Sequence, residues 1–131
     1  MPEPIFLGRF REFGVEESAP SIVDALGRLD DEVRVIVADY LTEGVALTAV
    51  PGSGRDVLDG EPLMLSSALL TDGVFVWRRY LSHYVRKYGV ELPDNFIQKV
   101  LTGVRPPAEL EEDRFVEIDR WAYRYETGKD P

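Results

Sequence analysis

The sequence predicts an α+β fold: a small antiparallel sheet with a β-hairpin turning at Asp72-Gly73, packed on one face by four to five short helices. Three observations predict it. Asp72-Gly73 lies between two apolar runs, and this dipeptide suits the φ > 0 geometry of a two-residue type I′ turn. The apolar period then changes from 2 to 3.6 at Tyr80, with Leu81, Tyr84, Val85 and Tyr88 on one helical face and Gly89 as a stop. Helical spacing also recurs on both sides of this stretch, before residue 44 and after residue 90.

The segment Pro4–Phe10 fits a short strand or an ordered arm. Helix signals begin near Ser18, where Ser18 or Ser21 suits a cap, Pro20 a first turn and Gly27 a stop. A second helix is expected over about Asp31–Thr42. Asp30 and Asp31 complement the dipole at its start, and Val33, Ile36, Val37, Tyr40 and Leu41 form its inner face. Val45–Val50 reads as a strand, residues 51–62 as a loop and Leu63–Leu70 as a buried strand. After the hairpin strand Val74–Trp77, a helix is expected over about Arg79–Tyr88. Another follows over 91–103, with Pro93 in its first turn and Phe96, Ile97, Val100 and Leu101 facing inward. In the tail, 104–131, Phe115, Ile118, Trp121, Ala122 and Tyr125 follow helical spacing, while Val116–Asp119 alternates as a strand would. Both assignments stay open; the helix packing on the rest of a single domain, 1–131, is favoured.

Length and composition narrow the functional classes. The 131 residues include no cysteine, which excludes a disulfide framework, thiolate metal sites and cysteine nucleophiles. No secretory signal and no apolar run of membrane-spanning length is visible, which fits a cytoplasmic protein. The net charge is −9. Residues 21–44 carry six acids against two bases, whereas residues 71–103 carry five bases against three acids. Phosphate neutralisation supplies most nucleic-acid affinity, so this balance disfavours a nucleic-acid partner and suits a basic protein partner.

The chemistry-bearing residues are few. His83 is the only histidine, so a multi-histidine metal site cannot form within one chain. Helical spacing places it near Arg79, Arg86 and Lys87, with no orienting carboxylate evident, and a general base needs one. The carboxylates cluster at Asp30-Asp31-Glu32 and Glu111-Glu112-Asp113, without the spacing of a calcium loop. Pro51-Gly-Ser-Gly-Arg55 lacks the Gly-Lys-Ser/Thr of a phosphate loop. Neither catalytic residues, a metal site nor a cofactor is therefore implied. The aromatic run Phe75, Trp77, Tyr80, Tyr84 and Tyr88 offers two readings: core, or interface anchors beside arginine. On the second, Trp77, Arg78, Arg79 and His83 join Asp30, Asp31, Glu32, Glu111, Glu112 and Asp113 as candidate partner-binding residues.

Leu70-Thr-Asp-Gly, the aromatic strand with Trp77, Leu81-x-x-Tyr84-Val85-x-x-Tyr88 and Leu92-Pro93-x-x-Phe96 together resemble a pattern recurring in a family of small, acidic, uncharacterised actinobacterial proteins. The resemblance covers residues 69–97 and implies no catalytic residues. Size and charge are also similar to those of immunity proteins of toxin systems, an analogy and not a motif match. The expected function is non-catalytic protein binding, in its sharpest form neutralisation of a cognate toxin or effector. The alternatives are a small-molecule binder or enzyme with a pocket near His83, and an acidic inhibitor mimicking nucleic acid.

Overall fold

A computed structural model describes residues 3–13, 17–47, 54–63 and 68–127, with side chains to Tyr125. Its elements are β1 (Ile5–Phe6), 3₁₀ turns at Arg11–Phe13 and Ile22–Ala25, α1 (Asp31–Thr42), β2 (Val45–Ala46), β3 (Gly54–Arg55), β4 (Pro62–Leu63), β5 (Leu69–Thr71), β6 (Phe75–Arg78), α2 (Leu81–Tyr88), α3 (Asp94–Leu101) and α4 (Glu112–Thr127). The α+β class is as expected, but the main sheet is mixed and not purely antiparallel. Its order is β1-β6-β5-β2, and β1 runs parallel to β6. The hairpin chemistry of residues 69–78 specifies only its own antiparallel pair. Nothing local in a two-residue strand such as β1 encodes the direction of its neighbour.

The hairpin turn also differs from the expected one. Thr71 pairs with Val76, and the Asp72 N–H bonds the Phe75 carbonyl, so the central residues are Gly73-Val74 and not Asp72-Gly73. Within this turn only Gly73 has positive φ, at 99°, a conformation that glycine adopts without a Cβ penalty. Asp72 acts through its side chain instead. Its Oδ1 accepts the N–H groups of Val74 and Phe75 at 2.9 and 2.8 Å. Its Oδ2 accepts the Tyr40 hydroxyl at 2.6 Å and the Lys99 ammonium at 3.1 Å. Arg114 from α4 closes the tip, donating from Nε and Nη2 to the Gly73 carbonyl.

Helices cover both faces of the sheet, not one. On the first face Leu70, Phe75 and Trp77 pack with Val37, Tyr40, Leu41, Leu81, Val85, Phe96 and Val100 from α1, α2 and α3. Trp77 is therefore fully buried, and the exposed anchor expected at this position is absent. Its Nε1 donates to the Leu41 carbonyl at 2.8 Å, satisfying one of the orphan acceptors at the end of α1. Gly44 allows this approach: a Cβ there would stand 2.7 Å from the indole. On the opposite face Leu69 and Val76 pack with Leu47, Ile118 and Ala122. The tail is thus helical, because its stripe at helical spacing has the valine face of the sheet to bury against. Ile36, expected in the core, lies 42% exposed at the margin of the buried face of α1.

A third cluster lies on the far side of α2, where Tyr84 meets Phe10, Ile22, Ala25 and Val90. The expected single face of α2 is therefore two: Leu81 and Val85 turn to the sheet, Tyr84 and Tyr88 to the N-terminal segment. Ser21 caps the second 3₁₀ turn by accepting the Val23 N–H, which leaves Pro20 just before the cap. Pro93 likewise stands at the N-cap of α3, not inside its first turn. The expected strand over 63–70 divides into β4 and β5; residues 64–67, and 51–53 of the glycine-rich loop, lie outside the described residues.

Candidate functional site

His83 sits on α2, whose last turn is held by Gly89 at φ +63° and by Arg34, which donates to the Lys87 carbonyl. Contrary to the sequence expectation, a carboxylate does orient this histidine. Its Nε2 lies 2.7 Å from Oδ2 of Asp56, which follows β3 and is 2% exposed. The Tyr88 hydroxyl donates to the same oxygen at 2.9 Å. Asp56 Oδ1 accepts the N–H groups of Leu58 and Asp59, bending the chain into the turn that leads to β4. The Tyr84 hydroxyl, one turn before Tyr88, accepts the Val57 N–H at 3.0 Å. Lys87 closes the cluster through an ion pair with Asp59.

Electrostatics follow from these contacts. Burial pushes the Asp56 carboxyl up, but hydrogen bonds from His83, Leu58, Tyr88 and Asp59 outweigh it, and the net shift is downward. Burial, then the bond to the Asp56 carboxylate, pushes Tyr88 up to about 12. All four acceptor positions of Asp56 are occupied from inside the protein, so this carboxylate has no lone pair spare for a ligand. The Nδ1 of His83 has no hydrogen-bond partner among the described residues, and the side chain is 26% exposed. The pair thus resembles the base and orienter of a triad, while no hydroxyl or thiol nucleophile contacts Nδ1 among the described residues.

The remaining candidates are scattered. Arg78 is half-buried in β6, Arg79 is exposed, and Trp77 is in the core. Asp30, Asp31 and Glu32 are exposed at the start of α1, and Glu111, Glu112 and Asp113 at the start of α4. Of these six acids only Asp31 has a basic neighbour among the described residues, Arg34 at a long 3.9 Å. No group of three or more metal-ligating side chains forms among the described residues. No helix among them is long and apolar enough to cross a membrane.

The fold also builds a groove that no short motif announced. Backbone bonds from Glu91 to Ala25, and from Arg28 and Leu29 to Gly89, bring the segments 20–29 and 89–94 together. Two adjoining open clefts of about 340 and 390 Å³ result, sharing Phe10, Pro20, Glu91, Leu92 and Pro93. Asp24 and Asp94 line the first cleft, Phe6 and Arg9 the second. Neither cleft reaches Asp56 or His83. Glu12 fastens one wall by accepting the Ser21 hydroxyl at 2.5 Å and the Ile22 N–H at 2.8 Å. Burial pushes Glu12 up, but these two bonds outweigh it and its carboxyl titrates below the usual value. Asp24 stands far in sequence from Glu91 and Asp94, so only the tertiary fold brings it beside them. Asp56 is different: Asp56-x-x-Asp59-Gly60 carries turn chemistry that marks the bend, though not its histidine.

Comparison with known proteins finds no family model, no curated protein and no solved structure that matches the chain.

Proposed function

We propose that the chain is a non-catalytic protein-binding domain, in its sharpest form an immunity-type protein that neutralises a basic cognate toxin or effector. The observation that carries this reading is the division of its carboxylates. The buried ones, Asp56 and Asp72, are saturated by internal donors. The exposed ones at the starts of α1 and α4 are left almost without basic neighbours among the described residues, on a chain of net charge −9. Unmatched surface acids steer a basic partner and contribute little to folding. The aromatic part of the expected interface is withdrawn, since Trp77 supports the core. A second reading, an enzyme or small-molecule binder centred on His83, draws on the 2.7 Å contact with Asp56.

The test begins with a pull-down from the native host and mass spectrometry, followed by binding kinetics with the recovered partner. Raising salt should slow association substantially and change dissociation much less. Reversing charge at Asp30, Asp31 and Glu32 together, or at Glu111, Glu112 and Asp113, should reproduce that slowing with the thermal melt unchanged. An enzymatic turnover that disappears in His83→Ala, with partner binding untouched, would transfer the assignment to the second reading.

A further inference from the structure

We propose that the groove between segments 20–25 and 91–94 receives an extended segment of a basic protein partner, with an apolar side chain over the floor and a lysine or arginine at the acidic end. The inference rests on the protein-binding reading and names where and how the partner docks. The floor is apolar: Phe10, Ala25 and Leu92 present only their edges, at 5 to 8% exposure. Pro20 and Pro93 are exposed and stand among its walls, and proline fixes φ. With Glu12 clamping the Ser21 turn, the walls are set before anything binds, which reduces the ordering cost of association.

Charge decides the occupant. Asp24 and Asp94 line one end, from a 3₁₀ turn and the first turn of α3, and Glu91, in the loop before α3, lines both clefts. Arg28 is their competitor, but it reaches Glu91 only at 4.0 Å, with both side chains more than 60% exposed. Such a pair is weak and yields readily to a better-placed cation. Arg28 also donates to the Asp24 carbonyl at 3.5 Å, but the carboxylates of Asp24 and Asp94 have no ion-pair partner among the described residues. Arg9 lines the other cleft and stacks over Tyr125, so the groove is polarised along its length. A segment with one cation and a neighbouring apolar residue matches that polarity in a single orientation. Val23, 58% exposed on the same turn as Asp24, extends the apolar contact beyond the rim.

The test is an amide chemical-shift titration of the full chain with three blocked hexapeptides. One alternates leucine and arginine, the second replaces arginine by glutamate, and the third replaces leucine by glycine. Only the first should saturate, moving the amides of Asp24, Ala25, Glu91 and Asp94. Joint replacement Asp24→Asn and Asp94→Asn should weaken it about tenfold. Equal binding of the glycine peptide would show charge attraction without use of the floor and overturn the inference. So would shifts confined to residues 30–32 or 111–113, or no saturation by any peptide. These results leave the protein-binding reading standing if the host partner still associates in a salt-dependent way. Loss of that association, with the groove still taking the leucine–arginine peptide, would remove the broader reading alone.

Discussion

Two buried aspartates, Asp56 and Asp72, are built to the same plan in two separate turns. Each offers Oδ1 to two backbone N–H groups and so folds a turn, between β3 and β4 in one case and between β5 and β6 in the other. Each offers Oδ2 to a tyrosine hydroxyl and to one basic side chain. The difference is the base: Lys99 on α3 serves Asp72, and His83 on α2 serves Asp56. The parallel offers a structural reading of His83, as a donor to a turn-forming carboxylate. A lysine in that role carries no suggestion of catalysis, and the histidine makes the same contact in the same arrangement. A carboxylate orienting a lone histidine invites comparison with a hydrolase. Here the carboxylate is equally a turn-former that needs donors, and the histidine is one of four.

The largest effect should come from Asp72→Ala. It strips the acceptor from two backbone N–H groups, from Tyr40 and from Lys99, beside a Phe75–Trp77 core. Removing one partner from such a buried network costs about 3–5 kcal/mol, and urea denaturation should show it. Leu81→Ala, in the same core, should cost roughly 2–5 kcal/mol. Equal melts for Leu81→Ala and wild type would break the assignment of α2's inner face.

Asp56→Ala should cost less, about 2–3 kcal/mol, because its turn lies further from the main sheet and His83 can rehydrate. Acidity separates this node from the rest. The folded carboxyl of Asp56 titrates below its ordinary 3.8, so it contributes stability above that pH, and this is lost as pH falls through the lower folded value. Denaturation midpoints measured between pH 5 and 2 should therefore fall less steeply for Asp56→Asn than for wild type. Parallel slopes would show that the carboxylate is no better stabilised in the folded protein than in the unfolded chain.

Gly73→Val comes next. It forces a β-branched residue to φ 99° and brings a Cβ within 3.3 Å of Leu110, at a cost of about 1–2 kcal/mol. The hairpin and the helices of residues 69–101 were legible because their signals are local: a glycine at the turn, a change of period at Tyr80, stops at Gly89 and Gly103. The tail helix was legible as a stripe, but not the surface it would cover. Trp77 looks like an anchor because alternation along a strand does not say which face the helices cover: α1, α2 and α3 cover the face of Phe75 and Trp77, and the tail helix covers that of Val76. Asp56, Asp24, Glu91 and Asp94 carry no signal of a site along the chain for a related reason. Each looks like an ordinary turn or surface acid along the chain, and acquires meaning only beside residues 27 to 70 positions away. Ile36 failed differently: a wide apolar face has a margin, and sequence spacing does not say which residue falls on it.

The smallest effect, and the one that sharpens the comparison most, should come from His83→Gln. Glutamine keeps a donor for Asp56 Oδ2 and removes both the imidazole base and any positive charge. If His83 serves only as a donor, as Lys99 does for Asp72, stability should fall by no more than about 1 kcal/mol, and partner affinity should not change. His83→Ala should cost slightly more, because Asp56 then keeps three donors instead of four. The two variants together separate a hydrogen bond from a proton-transfer group. A donor role predicts that glutamine rescues what alanine loses. A base role predicts that both lose function equally, since neither side chain accepts a proton near neutral pH. Thermal melts and partner-binding kinetics on the same two proteins decide between them. Rescue by glutamine would place His83 with Lys99, as a side chain that holds one end of a turn.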